Sequence, residues 1–264
     1  KIAQLLKDKV HAVNITDGSR AVMRMCSLAM SKLLLDNGVE PIMQISCRDR
    51  NKIALQSDIL GANALGIKNI LCITGDSVKA GDQQDAKAVH EFESVRLLRQ
   101  IQAFNNGIDP TLGELSDNKT LIFSGATADP SCKNKRSLKS RMIKKKEAGA
   151  KFIQTQMIME RENLEEFCKK ISDPLEIPVI AGVFLLKSYK NALFINKYVP
   201  GANIPDHILN RLKNAKEPLK EGVQIAAEQA QDFINIASGI HLMAVKAEHL
   251  IPEILLKAKL NLEC

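Results

Sequence analysis

Polar side chains gather where the short apolar runs of this chain end. They are Asn14, Thr16 and Asp17; Gln44 and Ser46; Thr74, Gly75 and Asp76; Ser124 and Thr127; Gln154 and Gln156; with Leu185 to Ser188 and His241 to Val245 at the last two runs. The set is rich in amides and hydroxyls and poor in acid–base pairs. It contains no Ser-His-Asp combination, no HExxH and no spaced ligand cluster, so no metal site is expected. His11, His90, His207, His241 and His249 are scattered; His241 alone stands near a strand, where a structural role is the simpler reading. Such residues suit a flat, polar heteroaromatic held by hydrogen bonds, with a bound cofactor supplying the reactivity.

The elements that must position them follow a regular order. From Gln44 to Asp82 a strand (Ile42 to Ser46), a charged turn, a helix over 52–65 and a strand over 69–74 form one βαβ unit. Asn51 is placed to cap the helix, Gly66 to end it, and Ile53, Ile59, Leu60 and Asn63-Ala64 to share its apolar stripe. Further strands are expected at Val10 to Ile15, Thr120 to Ala126, Phe152 to Met157, Ile177 to Leu185 and Gly239 to Val245. Helices are expected over Lys1 to Lys9, Arg20 to Asp36, Glu91 to Phe104, Ser131 to Glu147, 161–171, Tyr189 to Tyr198, 205–214, 219–237 and Pro252 to Lys259. Val78 to Ala88 is long enough to be a functional loop. Seven strands, each followed by helix, imply parallel pairing with right-handed crossovers. An open doubly wound sheet would carry GxGxxG after a strand, which is lacking. The expectation is an α/β fold, a single-domain (β/α)8 TIM barrel over 1–264, its first strand lying upstream of Lys1. In such a barrel the strand ends converge on one mouth.

The 264 residues suffice for one large core, and 45% apolar with 25% charged residues is ordinary for a globular protein. No apolar run is long enough to span a membrane. Cys26, Cys47, Cys72, Cys132, Cys168 and Cys264 are far apart, with no CxxC, which suits a reducing cytoplasm and several small core residues. The net charge of +7 is concentrated in Lys133 to Lys151, where nine Lys/Arg face one acid, Glu147. With 4% aromatics and no nucleic-acid-binding motif, this basic stretch points to cofactor phosphates, an acidic substrate tail or an acidic partner rather than nucleic acid.

The run CRDRNKIALQSDILGANALGIKNILCITGD closely resembles methylenetetrahydrofolate reductases, above all the short reductases of acetogenic and related bacteria. The resemblance continues through AVNITDGSRAVMRM, FESVRLL, KKKEAGAKFIQTQ, IPVIAGV and VPGANIP, and so covers nearly the whole chain in order. It implies a flavin-binding barrel that reduces 5,10-methylenetetrahydrofolate to 5-methyltetrahydrofolate by hydride transfer from reduced flavin. Thr74-Gly75-Asp76 resembles the family loop whose Asp, the catalytic residue, faces the flavin pyrimidine and the folate. Thr16 with Asp17 matches a flavin-contacting strand end, and Gln44 stands where relatives often have His. Lys144 and Lys145 match positions that bind flavin phosphate, and Arg141 and Asp129 match further cofactor contacts. Gln156 matches an amide that contacts folate, and in relatives nicotinamide. Tyr189 matches an aromatic that packs on pterin or nicotinamide.

The resemblance implies FAD or FMN as cofactor, NAD(P)H or an iron–sulfur partner subunit as electron donor, and leaves a homo-oligomer open. Two departures stand out. Relatives carry a catalytic Glu on the first strand, which is not in this sequence, and Phe184-Leu185-Leu186 replaces a usual Leu-Pro pattern. Two other functions fit the same residues: a pterin-binding methyltransferase barrel, and a non-catalytic flavoprotein subunit that relays electrons in a larger complex.

Overall fold

The structure is a computed structural model, and it describes residues 1–115, 119–199 and 201–260. Cys264 and the Pro of the VPGANIP run, Pro200, lie outside the described residues. By their contacts the residues group into two compact units, Val10–Thr127 with Ile143–Phe152, and Lys1–Lys9 with Ala128–Met142 and Ile153–Cys264.

In the Val10–Thr127 unit, strands β1 (Val13–Ile15), β2 (Pro41–Ser46), β3 (Asn69–Ile73) and β4 (Phe123–Ala128) pair in chain order, every pair parallel. The register aligns Asn14 with Ile42, Gln44 with Leu71, and Leu71 with Gly125. Between the strands run α2 (Ser27–Asp36), α3 (Lys52–Ala64) and α4 (Ser94–Asn105). Met43, Ile45, Ile70 and Cys72 are buried, while the opposite face carries Gln44 and Ser46. At the foot of that face Phe123 stacks on Phe152, with ring centroids 5.6 Å apart. The Phe152 ring occupies the space a side chain at position 125 would need, so Gly125 is required there.

The other unit carries β5 (Phe152–Met157), β6 (Val179–Phe184) and β7 (Gly239–Met243), again parallel in chain order. Its helices are α1 (Ile2–Leu6), α6 (Arg161–Phe167), α7 (Tyr189–Tyr198), α8 (Asp206–Asn214), α9 (Pro218–Phe233) and α10 (Ile251–Lys257). α5 (Lys135–Glu147) links β4 to β5. Ala192, Ile195, Ile204, Ile208, Leu212 and Ile225 close a core under α7, α8 and α9. Within each unit strand order follows chain order, so among the described residues neither unit shows a switch point of the doubly wound kind. The fold is α/β of the (β/α)8 barrel class, with seven parallel strands among the described residues, as expected. No helix among those residues is long and apolar enough to cross a membrane.

Several boundaries differ from expectation for physical reasons. The helix expected from Arg20 begins only at Ser27, because Arg20 and Ala21 hold left-handed backbone (φ 57° and 53°) and the chain then runs extended. α3 is capped by Asn51 as expected, its side chain accepting from Ala54 N–H, but its buried face is Leu55, Ile59 and Ala62. Ile53 is 72% exposed and Leu60 is also exposed. The basic helix starts at Lys135, with Asn134 Oδ1 accepting from Ser137 N–H, and α1 is limited to five residues.

Candidate active site

Three strand-end turns of the Val10–Thr127 unit converge. Asp17, after β1, is 6% exposed; its Oδ2 accepts from Ser46 N–H (2.8 Å) and from Arg50 Nη1 (2.6 Å). Arg50 also pairs through Nε with Asp58 on α3 (2.7 Å). Burial alone would ease the proton off this guanidinium, but the two carboxylates outweigh it and hold Arg50 above its ordinary pKa. Arg48, 4% exposed, grips Asp49 with Nε and Nη2 (2.7 and 2.6 Å) and donates from Nη1 to Gly18 O (3.1 Å). Burial raises the Cys47 thiol to about 12, with Glu93 adding to it, so Cys47 is a protonated packing group and not a nucleophile.

The turn after β3 presents the reactive candidate. Gly75 has φ +99°, and a Cβ there would lie 2.7 Å from Arg48 Cβ and closer still to Ser46 Oγ, so only glycine fits. Asp76, next in the chain, is exposed, and its Oδ2 accepts from Arg20 N–H (2.7 Å). Thr74 is exposed too, and its Oγ1 accepts from Ser94 N–H (3.3 Å), tying the start of α4 to the end of β3. The expected functional loop Val78 to Ala88 is fastened to the segment after β1 by Met23 N–H donating to Asp82 Oδ1 (3.0 Å). Thr16 is exposed and Gln44 buried, with the Gln44 carbonyl accepting from Ser27 Oγ (2.6 Å). Lys144 is exposed; Lys145 donates to Thr127 O (2.5 Å), at the end of β4.

The remaining expected residues lie in the other unit. Asp129 is half-buried and caps its own loop, with Oδ1 accepting from Ser131 N–H (2.9 Å). Arg141 is exposed, with Nη2 3.6 Å from Cys132 Sγ. Gln156 follows a β-bulge: Gln154 aligns with Ile180, yet Met157 aligns with Gly182, leaving one extra residue on β5. Thr155 Oγ1 holds the bulge by donating to Gln156 O and accepting from Gly182 N–H, both at 2.8 Å. Gln156 is thereby exposed between buried Thr155 and half-buried Met157. Tyr189 opens α7 behind the Ser188 cap, half-buried on the α7–α9 core, with Lys213 Nζ 5.9 Å above its ring. His241, on β7, has a buried Nδ1 without a partner, and burial lowers its pKa to about 4. Among the described residues no three His, Cys, Asp or Glu side chains gather to hold a metal ion.

The family model described as methylenetetrahydrofolate reductase matches residues 1–259. The chain belongs to the methylenetetrahydrofolate reductase family. Similar curated proteins are a probable NADPH methylenetetrahydrofolate reductase of Caenorhabditis elegans, 25% identical over 228 residues, and methylenetetrahydrofolate reductase 2 of Schizosaccharomyces pombe, 26% identical over 256 residues. The alignments cover 83% and 86% of this chain but 32% and 37% of those proteins, so the chain spans about a third of the length of the curated relatives it matches. Among solved structures it is similar to an uncharacterized protein from Clostridium thermocellum that binds two copies of 5-methyl-5,6,7,8-tetrahydrofolic acid. The TM-score is 0.67 at 15% identity, covering 98% of this chain and 85% of that one.

The β1–β3 turns of this unit carry exposed Thr16, Thr74 and Asp76 at their strand ends, with Gly75 between the last two. Lys144 offers an exposed cation. Asp17 differs from the other candidates, since Ser46 and Arg50 already take up its carboxylate. Arg48 and Arg50, which with Ser46 make the site's frame, are not singled out from sequence. The available signal was two arginines in a strand-end turn of an apolar sheet, where burial demands a partner.

Proposed function

We propose that this chain is the flavin- and folate-binding catalytic barrel of a methylenetetrahydrofolate reductase, forming 5-methyltetrahydrofolate from the 5,10-methylene compound. When bound, reduced flavin supplies the hydride. Thr16, Gln44, Thr74, Gly75 and Asp76 would hold its ring, Asp17 would brace them, and Lys144 and Lys145 of the same unit would serve its phosphate; Arg141 and Asp129 are assigned to the cofactor by the family resemblance alone. Gln156 and Tyr189 are assigned to the folate by the same resemblance.

The observation that carries this reading is the Asp76 carboxylate, exposed beyond a turn that admits only glycine at position 75. A fixed anion there stabilises positive charge developing on the folate one-carbon unit and disfavours negative charge on the flavin pyrimidine edge. The Arg20 N–H on Oδ2 holds the carboxylate in one orientation. The purified protein is expected to be yellow, and Asp76→Asn to slow folate reduction far more than flavin reduction. Colourless protein that takes up neither FAD nor FMN would overturn the proposal. Reduction of the bound flavin by NADH or NADPH alone identifies a direct donor; reduction only through an iron–sulfur subunit identifies a relay.

A further inference from the structure

Arg48 is an unusual residue to bury. At 4% exposure its charge is nearly removed from water, while its ion-pair partner Asp49 keeps half of its side chain exposed. A pair formed with Asp49 alone could sit at the surface, where such pairs contribute little to stability. Burial is explained by what else the side chain touches. Its Nη1 donates to Gly18 O, and a Cβ at Gly18 would stand 2.6 Å from Arg48 Nη2. A Cβ at Gly75 would stand 2.7 Å from Arg48 Cβ. Both glycines hold left-handed backbone, φ +56° and +99°. Two turns of the site are therefore shaped around one arginine.

Those turns carry the two groups that meet at the candidate carboxylate. Gly18 leads to Arg20, whose N–H donates to Asp76 Oδ2, and Gly75 directly precedes Asp76. Arg20 and Ala21 are non-glycine residues with positive φ, a conformation that persists only where surroundings enforce it. Arg48 supplies part of that enforcement by holding the Gly18 carbonyl. Its own backbone is fixed from both sides, N–H to Ser46 Oγ (3.3 Å) and carbonyl to Val89 N–H (2.7 Å). The guanidinium is attracted to Asp49 first, by hydrogen bonds, and also to Asp76 and Asp17 through space.

We propose that Arg48 is a positioning residue for Asp76, setting the orientation of its carboxylate through the Gly18 and Gly75 turns. The proposal rests on reading Asp76 as the reactive carboxylate, and its test separates the two. The full chain is prepared with flavin as wild type, Arg48→Met, Arg48→Lys and Asp76→Asn. Amide hydrogen exchange is read at Arg20, and at Ser46, whose N–H is held by Asp17, as an internal control.

Arg48→Met is expected to speed Arg20 exchange about tenfold or more, leaving Ser46 protected. It should lower kcat with methylenetetrahydrofolate about a hundredfold with little change in KM, the loss expected of a misplaced group. Arg48→Lys keeps the charge but not the fork, and should fall between the two in both readouts, including where the methionine variant does not fold. Unchanged Arg20 exchange and kcat in both Arg48 variants, with Asp76→Asn impaired, would overturn the proposal. If Asp76→Asn is unimpaired, the catalytic reading of Asp76 fails. The exchange measurement then still decides whether Arg48 holds the turn.

Discussion

Asp17 and Arg50, 33 residues apart, form a largely buried ion pair in which Arg50 Nη1 stands 2.6 Å from Asp17 Oδ2 and Nη2 stands 3.3 Å from Oδ1. The same Asp17 oxygen accepts Ser46 N–H, and the same guanidinium reaches Asp58. The pair thus couples the β1 turn, the end of β2 and α3. Removing one member of a buried pair strands the other, at a cost of about 3–5 kcal/mol. Arg50→Met strands Asp17 and also deprives Asp58, so it should approach that loss. Asp17→Asn leaves Arg50 paired with Asp58 and still offers an oxygen to Ser46, so its loss should be smaller. Urea unfolding of the two variants beside wild type gives the ordering directly, and equal losses would contradict it.

Gly75 meets two independent demands, positive φ and a Cβ position already filled by Ser46 and Arg48. A non-glycine residue in strained backbone costs about 1–3 kcal/mol, before the steric clash is counted. Gly75→Ala should therefore lower stability by at least that amount and displace Asp76. Folate turnover should fall more steeply than flavin uptake, as read by absorbance of the purified variant. Gly66→Ala is the comparison: φ is +82°, but nothing stands within 4 Å of its Cβ position. It should show a strain penalty without the loss of turnover.

Much of this architecture was legible from residue pattern because local and tertiary preferences agree. Phe152–Met157 and Tyr189–Tyr198 lie where apolar runs and spacing put them, and the Asn51 cap is a local interaction. Disagreement arises where distant groups decide. The Met- and Leu-rich run after Arg20 has helical spacing, yet Asp76 and Asp82 take the N–H groups of Arg20 and Met23 and hold that segment off the helix. Leu55 rather than Ile53 faces the core because Leu55, Ile59 and Ala62 share one helix face at i, i+4 and i+7, off which Ile53 lies. At the site, Thr74, Gly75 and Asp76 are marked by their place at a strand end. Arg48 and Arg50 are marked only by their place in a strand-end turn, since Gly18, Asp17 and Asp58, which fix them across the site, come from another turn and from α3.

His241 gives a pH prediction. Burial lowers its pKa to about 4 from an ordinary 6.5, so the folded protein holds it neutral where the unfolded chain would be protonated. Between those values the unfolded state binds the extra proton. This contribution to stability is complete above about pH 6.5 and is lost as pH falls toward 4. The urea midpoint should therefore drop more between pH 7 and pH 5 for wild type than for His241→Gln, which has no titrating ring. Parallel drops in the two proteins would show that His241 is not the group responsible.

The bulge on β5 lets the proposed folate contact of Gln156 be tested apart from the flavin. Thr155 Oγ1 is both donor to Gln156 O and acceptor for Gly182 N–H, and a side chain at Gly182 would run into the Gln156 carbonyl at 2.5 Å. Thr155→Val keeps the shape and removes both hydrogen bonds, leaving the Gly182 N–H buried without an acceptor, a loss of about 1–3 kcal/mol. The bulge should then relax toward regular pairing, which turns Gln156 away from its exposed position. Because a one-residue change of register reverses which face a side chain occupies, the effect on Gln156 is not graded. If Gln156 holds the folate, Thr155→Val should raise KM for methylenetetrahydrofolate about as much as Gln156→Ala does, with flavin content unchanged in both. A Thr155→Val variant that loses stability but keeps its KM would show that the bulge serves the sheet and not the substrate.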